Sequence, residues 1–303
     1  MPTDLSSRLG EKPWQRRHSV ETSAKHLAEN RILVAPPVLH PFWVIRHLLS
    51  LTGLMPAAHR QFLNPVLEHN TCRLASLPKP LDGFTILQLT DLHIDLDPAL
   101  APVIKERIKD LRYDLCVFTG DFQQAFDAGE SAIAHLSSIL GAIHAPAYAI
   151  PGNHDTTDII TCLEDVGLPF LLNEHIPIKH NGTTFHLCGI DDPIYFRSHD
   201  LTKARKGLPA ESFSILLSHS ATTAEQAATL GYSLLLCGHT HGGQICLPGG
   251  IPIAKGSTPR PRVKGSWQYG NLLGYTSRGV GASHIPARLF CPPEITLHTL
   301  RTI

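Results

Sequence analysis

From residue 83 onward the apolar residues fall into short runs separated by amphipathic stretches. Residues 84–90 predict a strand, and Leu100, Val103, Ile104, Ile108 and Leu111 then recur on one face at helical spacing. A second strand is expected over 114–119, a second helical stripe at Ile133, Leu136, Leu140 and Ile143, and a short strand over 147–150. The order is therefore β-α-β-α-β. Further strands are expected over 184–188, 213–218, 233–237, 273–277 and 294–300, with a helix near 222–230. Many strands and few helices in the second half imply a layered α/β arrangement, two stacked sheets flanked by helices.

Residues 1–80 lack this alternation and are rich in proline, so they read as an N-terminal extension ahead of a main domain over 81–303. The most apolar stretch, 38–55, is interrupted by Pro41, Arg46 and His47 and falls short of the ~20 residues a membrane-spanning helix needs. At 100° per residue it gathers Phe42, Val44, Ile45, Leu48, Leu49 and Leu51 on one broad face, opposite Arg46, His47 and Ser50. An amphipathic helix follows. Docking on the main domain is the ordinary fate of such a face. The alternative is a peripheral contact with a membrane surface or an acyl chain. The Gly/Pro-rich stretch 248–265 predicts a long loop.

Composition narrows the function classes. Apolar residues make up 43% and charged residues 17%, which excludes disorder, collagen and coiled coil. The 26 basic residues balance 26 acidic ones, so no global field attracts nucleic acid and nucleic-acid binding is disfavoured. The seven cysteines, at 72, 116, 162, 188, 237, 246 and 291, contain no C-x-x-C pair and read as buried thiols of a reducing compartment. The opening residues carry no apolar core ahead of a small-residue cleavage site, and polar residues follow the pair Arg16-Arg17, so neither a secretory nor a twin-arginine signal is expected. The expected location is cytoplasmic, with the inner face of the membrane as the alternative.

Nineteen histidines are the first chemical clue, because imidazole is the commonest transition-metal ligand among side chains. The decisive pattern lies at the strand ends. Asp91-Leu92-His93, Gly120-Asp121, Gly152-Asn153-His154-Asp155, Ser218-His219-Ser220 and Gly238-His239-Thr240-His241 each follow an apolar run. Sites in α/β sheets form beyond the carboxyl ends of the strands, so five loops would converge there. Extended alternation would send Asp91 and His93, and likewise His239 and His241, to one side. Each piece alone has a bland reading as a turn, cap or core residue; five in this order point to a metal cluster. The ligands suit Mn, Fe or Zn and exceed what one tetrahedral zinc needs, so two divalent ions fit better than one.

The motif order D-x-H, G-D, G-N-H-D, H, G-H-x-H resembles that of the calcineurin-like metallophosphoesterases. With residues 275–283 and 292–297 the likeness extends to the bacterial subgroup of YkuE/YaeI-type phosphodiesterases, related to UDP-2,3-diacylglucosamine hydrolases, and covers 81–303. The resemblance implies a four-layer α/β/β/α sandwich of two stacked mixed sheets. It also implies that Asp91, His93 and His241 hold one metal, that Asn153, His219 and His239 hold the second, and that Asp121 bridges them. His154 would be the catalytic histidine and Asp155 its partner. A glutamine pair, Gln123-Gln124, stands where some relatives carry an acidic residue, which bears on substrate choice.

The chemistry expected of such a site is phosphoester hydrolysis, diesters or pyrophosphates ahead of monoesters, by in-line attack of a hydroxide shared between two ions. Manganese is the first choice of metal, with Fe, Zn or Co as alternatives. Arg278 is a candidate phosphate contact because a guanidinium matches phosphate geometry. One alternative is a pyrophosphohydrolase that reaches a nucleotide-linked lipid, UDP-2,3-diacylglucosamine, at the membrane surface through the 42–51 helix. A non-catalytic scaffold would be expected to lose ligands or the histidine, and here every position is filled.

Overall fold

The computed structural model describes residues 4–29, 41–126, 129–253 and 258–303. In chain order its strands are β1 (Val66–Leu74), β2 (Thr85–Leu89), β3 (Leu115–Phe118), β4 (Ala147–Ala149), β5 (Glu174–His180), β6 (Thr183–Gly189), β7 (Ser214–Leu217), β8 (Leu234–Cys237), β9 (Cys246–Leu247), β10 (Ile251–Pro252), β11 (Gly265–Tyr269), β12 (Leu272–Thr276) and β13 (Glu294–Thr302). The helices are α1 (Leu5–Leu9), α2 (Glu11–Glu29), α3 (Pro41–Leu51), α4 (Met55–Phe62), α5 (Leu100–Ile108), α6 (Gly129–Leu140), α7 (Thr157–Asp165), α8 (Leu201–Ala204) and α9 (Ala224–Thr229).

Two mixed sheets form the middle. One has the order β1-β13-β2-β3-β4 and the other β11-β12-β8-β7-β6-β5. In the first, β2, β3 and β4 are parallel and β13 runs against β2. In the second, β6, β7, β8 and β12 are parallel, with β5 and β11 antiparallel at the edges. The central strands β3, β7 and β8 are buried at every residue, as unbroken apolar runs in parallel sheets should be.

Strand alternation sorts these runs into layers. Ile86, Val117, Ile215, Leu217, Leu234 and Leu236 fill the space between the sheets. Their neighbours Leu87, Leu89 and Phe118 face the helical layer of α5, α6 and α7. Leu216, Leu235 and Cys237 face the opposite layer of α8 and α9. The result is the expected α/β/β/α sandwich with its helices flanking two mixed sheets.

Described residues ahead of 81 pack on the main domain. β1 pairs in parallel with β13 along its whole length. Leu9 and Phe62 are buried in the core cluster beneath α5 and α7, with Leu5 and Trp14 packed against it. Arg8 bridges Glu164 and Glu174.

The apolar helix α3 departs from its expected face. Phe42, Ile45 and Leu49 dock against Ala58, Ile245, Ile285 and Ala287, whereas Val44, Leu48 and Leu51 stay exposed together with Trp43. The docking groove takes only the i, i+3, i+7 stripe, so among the described residues the other half of the broad apolar face is left exposed. Residues 38–40 lie outside the described residues. Among the described residues no helix is long and apolar enough to cross a membrane.

The expected loop 248–265 contains part of an antiparallel hairpin, β9–β10, and residues 254–257 of it lie outside the described residues. All seven cysteines are free thiols, and Cys162 corrects the expectation of burial by standing exposed at the surface of α7.

Because Leu9 is 1% exposed inside the main core, Leu9→Ala should lower the unfolding free energy by ~2–5 kcal/mol in urea denaturation. A change below ~0.5 kcal/mol, the level of an innocuous surface substitution, would mean that α1 packs loosely and is not part of the core.

Candidate metal centre

The parallel strands β2, β3 and β4 of one sheet, and β7 and β8 of the other, end on the same side, and the five loops expected to converge do so. Asp91, His93, Asp121 and His241 each bring one donor atom into a buried group whose atoms lie within 4.8 Å of one another. His93 Nε2 is 3.4 Å from Asp121 Oδ2 and 3.3 Å from His241 Nε2, which is itself 3.4 Å from Asp91 Oδ1. On the other side of Asp121, His219 Nε2 lies 3.2 Å from Asp121 Oδ2 and 3.1 Å from Asn153 Oδ1. His239 Nδ1 lies 2.8 Å from the same Asn153 oxygen. Two donor sets therefore meet at Asp121.

The hydrogen bonds behind these side chains show what the sets fit. His93 Nδ1 is 3.0 Å from the Gln123 carbonyl and His219 Nδ1 is 2.7 Å from the Thr119 carbonyl. A carbonyl can only accept, so Nδ1 of each ring carries the proton. In a neutral ring the inward Nε2 then presents a lone pair. Burial pushes His93 down to about 3 and His239 down to about 4, so both are neutral donors. Burial also opposes charge on His219, but the Asp121 carboxylate, with Asp91 and Asp192, raises it to about 10. Lone pairs that face carboxylates repel unless a cation or a proton lies between them. Imidazole, carboxylate and one amide oxygen, with no thiolate, form a donor set for divalent ions of the Mn, Fe or Zn kind.

The backbone at these residues is not the extended segment that the i, i+2 spacing predicted. Asp91, His93, Asp121, His239 and His241 have φ of +53°, +40°, +59°, +73° and +50°. Left-handed turns bring Asp91 and His93 together, and they send His239 and His241 to different donor sets. Non-glycine residues in that region commonly store ~1–3 kcal/mol each. Close approach accounts for two glycines. A Cβ on Gly152 would lie 2.2 Å from Asp121 Oδ1, and one on Gly238 would lie 2.2 Å from Asp91 Oδ2.

Two expected roles change. Asp155 does not touch the His154 ring; its carboxylate is fully buried and accepts the backbone N–H groups of Asp121 at 2.7 Å, Gly152 at 2.8 Å and Phe122 at 2.8 Å. Burial raises Asp155 to about 6, and it fastens the Asp121 loop to the Asn153 loop. The partner of the His154 ring is the Gln124 carbonyl, 2.8 Å from Nδ1, and the residue is half-buried. Arg278, the expected phosphate contact, is engaged by Glu294 and, at 3.0 Å, by Glu68. Its charge is already neutralised.

Sequence reading missed Arg288, which is fully buried and donates to the carbonyls of His241, Gly281, Arg278 and Gly279. An arginine among apolar tail residues is a signal only once its burial is known. The Gln pair also has a definite place. Besides the Gln124 carbonyl on His154, the Gln124 side-chain oxygen accepts from the backbone N–H of His284, whose ring lies 6.2 Å from that of His154.

A family model described as calcineurin-like phosphoesterase matches residues 84–243. The chain is 30% identical to the metallophosphoesterase YkuE of Bacillus subtilis, over 84% of this chain and 92% of that protein. It is 32% identical to the phosphodiesterase YaeI of Escherichia coli, over 74% of this chain and 85% of that protein. Among solved structures it is similar to TT1561 of Thermus thermophilus, with a TM-score of 0.42 and 16% identity over 65% of this chain and 90% of that one.

Raised to about 10, metal-free His219 holds a proton at neutral pH that a cation must displace. Mn binding should therefore release a proton and tighten by about tenfold per pH unit between pH 6 and 8. Calorimetry in buffers of different ionisation enthalpy reads this directly. Affinity that does not change with pH would place the proton elsewhere.

Proposed function

The chain belongs to the calcineurin-like phosphoesterase family, and we propose that it hydrolyses phosphodiesters or pyrophosphates with two divalent ions held at the site. It is a metallophosphoesterase, a hydrolase. The observation that carries the finer reading is the pair of donor sets that share Asp121, with an imidazole at their mouth. In this reading Asp91, His93 and His241 hold one ion, Asn153, His219 and His239 hold the other, and Asp121 serves both. Two such ions, when bound, activate water for in-line attack at phosphorus and neutralise charge on its oxygens. Manganese is the first ion to load, with Fe, Zn and Co as alternatives.

The protein's own groups do the rest. His154 donates its Nδ1 proton to the Gln124 carbonyl and its backbone N–H to Asp121 Oδ1 at 2.9 Å, so its ring is fixed. When protonated, its Nε2–H can stabilise or protonate the departing oxygen. Asp155 acts through the loops as a positioning residue. Arg278 is left out of the substrate contacts because Glu68 and Glu294 hold it. Beyond His154 stand Phe126, with its ring 6.3 Å away, Tyr195 at 5.9 Å from Phe126, and His284. This aromatic arc gives a second ester arm a surface to lie on, which favours a diester or nucleotide-linked substrate over a monoester. The thiols fit a reducing, cytoplasmic setting.

A second reading concerns where the substrate comes from. The Phe42 ring of α3 is 4.4 Å from the His284 ring, so the start of α3 adjoins the arc, and the same helix leaves Trp43, Val44, Leu48 and Leu51 exposed. Leu51 is 85% exposed. An exposed apolar face on a helix whose first turn touches the arc supports a nucleotide-linked lipid, UDP-2,3-diacylglucosamine, taken at the membrane surface.

With Mn-loaded protein, bis-p-nitrophenyl phosphate should turn over faster than p-nitrophenyl phosphate. His154→Ala should lower kcat by about 10²–10⁴-fold with Mn content retained, and Asp121→Ala should lose both. Monoester preference, or full activity in His154→Ala, would refute the assignment. For the second reading, Leu48→Ser with Leu51→Ser should reduce co-sedimentation with anionic vesicles and leave turnover of the soluble diester unchanged. Sedimentation equal to that of wild type would exclude α3 as the contact.

A further inference from the structure

The pair Arg16-Arg17, set aside as a signal, divides sharply in the structure. Arg16 lies at the surface and donates to the Arg197 carbonyl at 3.0 Å. Arg17 is 0% exposed. Its guanidinium donates to Glu21 one helical turn on at 3.0 Å, to the Asp191 carboxylate, and to the backbone carbonyl of Asp155, and it stacks 4.1 Å above the Phe196 ring. On the same helix, Glu21 accepts the backbone N–H of Thr157 at 3.0 Å and its hydroxyl at 2.7 Å. α2 is thus joined to both ends of the turn that follows His154.

Burial of a guanidinium is costly, and an apolar side chain of the same volume would commonly serve stability as well or better. What an apolar side chain cannot do is hold three acceptors in a fixed fork. The acceptors here are specific. Asp155 is the residue whose carboxylate joins the Asp121 and Gly152 loops. Asp191 in turn accepts the backbone N–H of Asp192, whose carboxylate holds the backbone N–H groups of Ile194, Tyr195 and Phe196. One buried cation therefore fixes the loop that carries Asn153 and His154 relative to the loop that carries Tyr195.

We infer that Arg17 is a positioning residue of the site: its fork on Asp155 and Asp191 sets the place of the Asn153-His154-Asp155 loop, and α2 is a working part of the enzyme. This rests on the proposed roles of Asn153 and His154. The test uses full-length Arg17→Lys and Arg17→Met. Lysine keeps the charge near Asp191 and Glu21 but cannot form the fork, whereas methionine fills the space without charge.

The expected result for Arg17→Lys is near-wild-type melting, a kcat on bis-p-nitrophenyl phosphate reduced by about 10–100-fold with KM little changed, and weaker binding of the second Mn ion by calorimetry. Amide hydrogen exchange at Phe122 and Thr157 should quicken in both variants. Wild-type kcat, Mn affinity and exchange in Arg17→Lys would overturn the inference, as would a kcat loss that merely tracks a loss of melting temperature across both variants. If Arg17→Met does not fold, Arg17→Lys decides. If the wild-type protein turns over neither ester, the functional reading fails instead, and Mn affinity and amide exchange still judge the role of Arg17.

Discussion

Asp121 sits where acceptor atoms from both sheets meet, and most of the site follows from the need to hold such atoms together. Two imidazole nitrogens, His93 Nε2 at 3.4 Å and His219 Nε2 at 3.2 Å, approach the same one of its oxygens. Two more imidazoles, an amide oxygen and a second carboxylate complete the ring. In a buried setting of low effective dielectric, that many lone pairs repel strongly. Divalent cations, or in their absence a proton such as the one on His219, relieve that repulsion, so the feature that makes the ring costly to build also suits it to hold metal. The scaffold must keep the ring assembled before any ion arrives.

It does so with hydrogen bonds directed from behind. The carbonyls of Thr119 and Gln123 fix two rings, and Arg288 fixes the loop of a third by donating to the His241 carbonyl. Asp155 fastens three backbone N–H groups in the two loops that carry Asp121 and Asn153. These supports explain how left-handed backbone at Asp91, His93, Asp121, His239 and His241 persists. Each such turn redirects a side chain sharply within one residue, which a smooth extended segment cannot do. Five of the eleven described non-glycine residues with positive φ stand here, where the side chains turn inward.

The sandwich and the ring were legible in sequence for different reasons. Central strands such as β7 and β8 are apolar on both faces and end in conspicuous polar loops, so their position and direction could be read together. The edge strands β1 and β5 could not. Their side chains are mixed on both faces, as with Glu68, His69 and Asn70 in β1, and Pro177 interrupts β5. Roles behind the ligands were harder still. Asp155 next to His154 suggested a side-chain pair, but adjacent residues on a tight turn diverge, and only coordinates reveal that the carboxylate turns back onto backbone. Arg278 illustrates the same limit, because Glu68 and Glu294, its partners, are distant in sequence. The α3 helix was legible as amphipathic, but the width of the groove that receives it was not.

The N-terminal helix α2 escaped periodicity analysis for a physical reason that also bears on its role. A helix that docks through an apolar stripe advertises itself at 3.6-residue spacing, but that attachment is non-directional and tolerates small rotations and slides. A loop whose side chains must be held in fixed directions, as the proposed roles of Asn153 and His154 require, needs directional contacts. Arg17 and Glu21, one turn apart, supply them to the carbonyl of Asp155 and to Thr157, with the N–H and hydroxyl of the latter held together. Such a helix is polar in composition because its polar groups are its attachment. Its sequence therefore resembles a solvated segment, and the burial of Arg17 and Glu21 distinguishes the two.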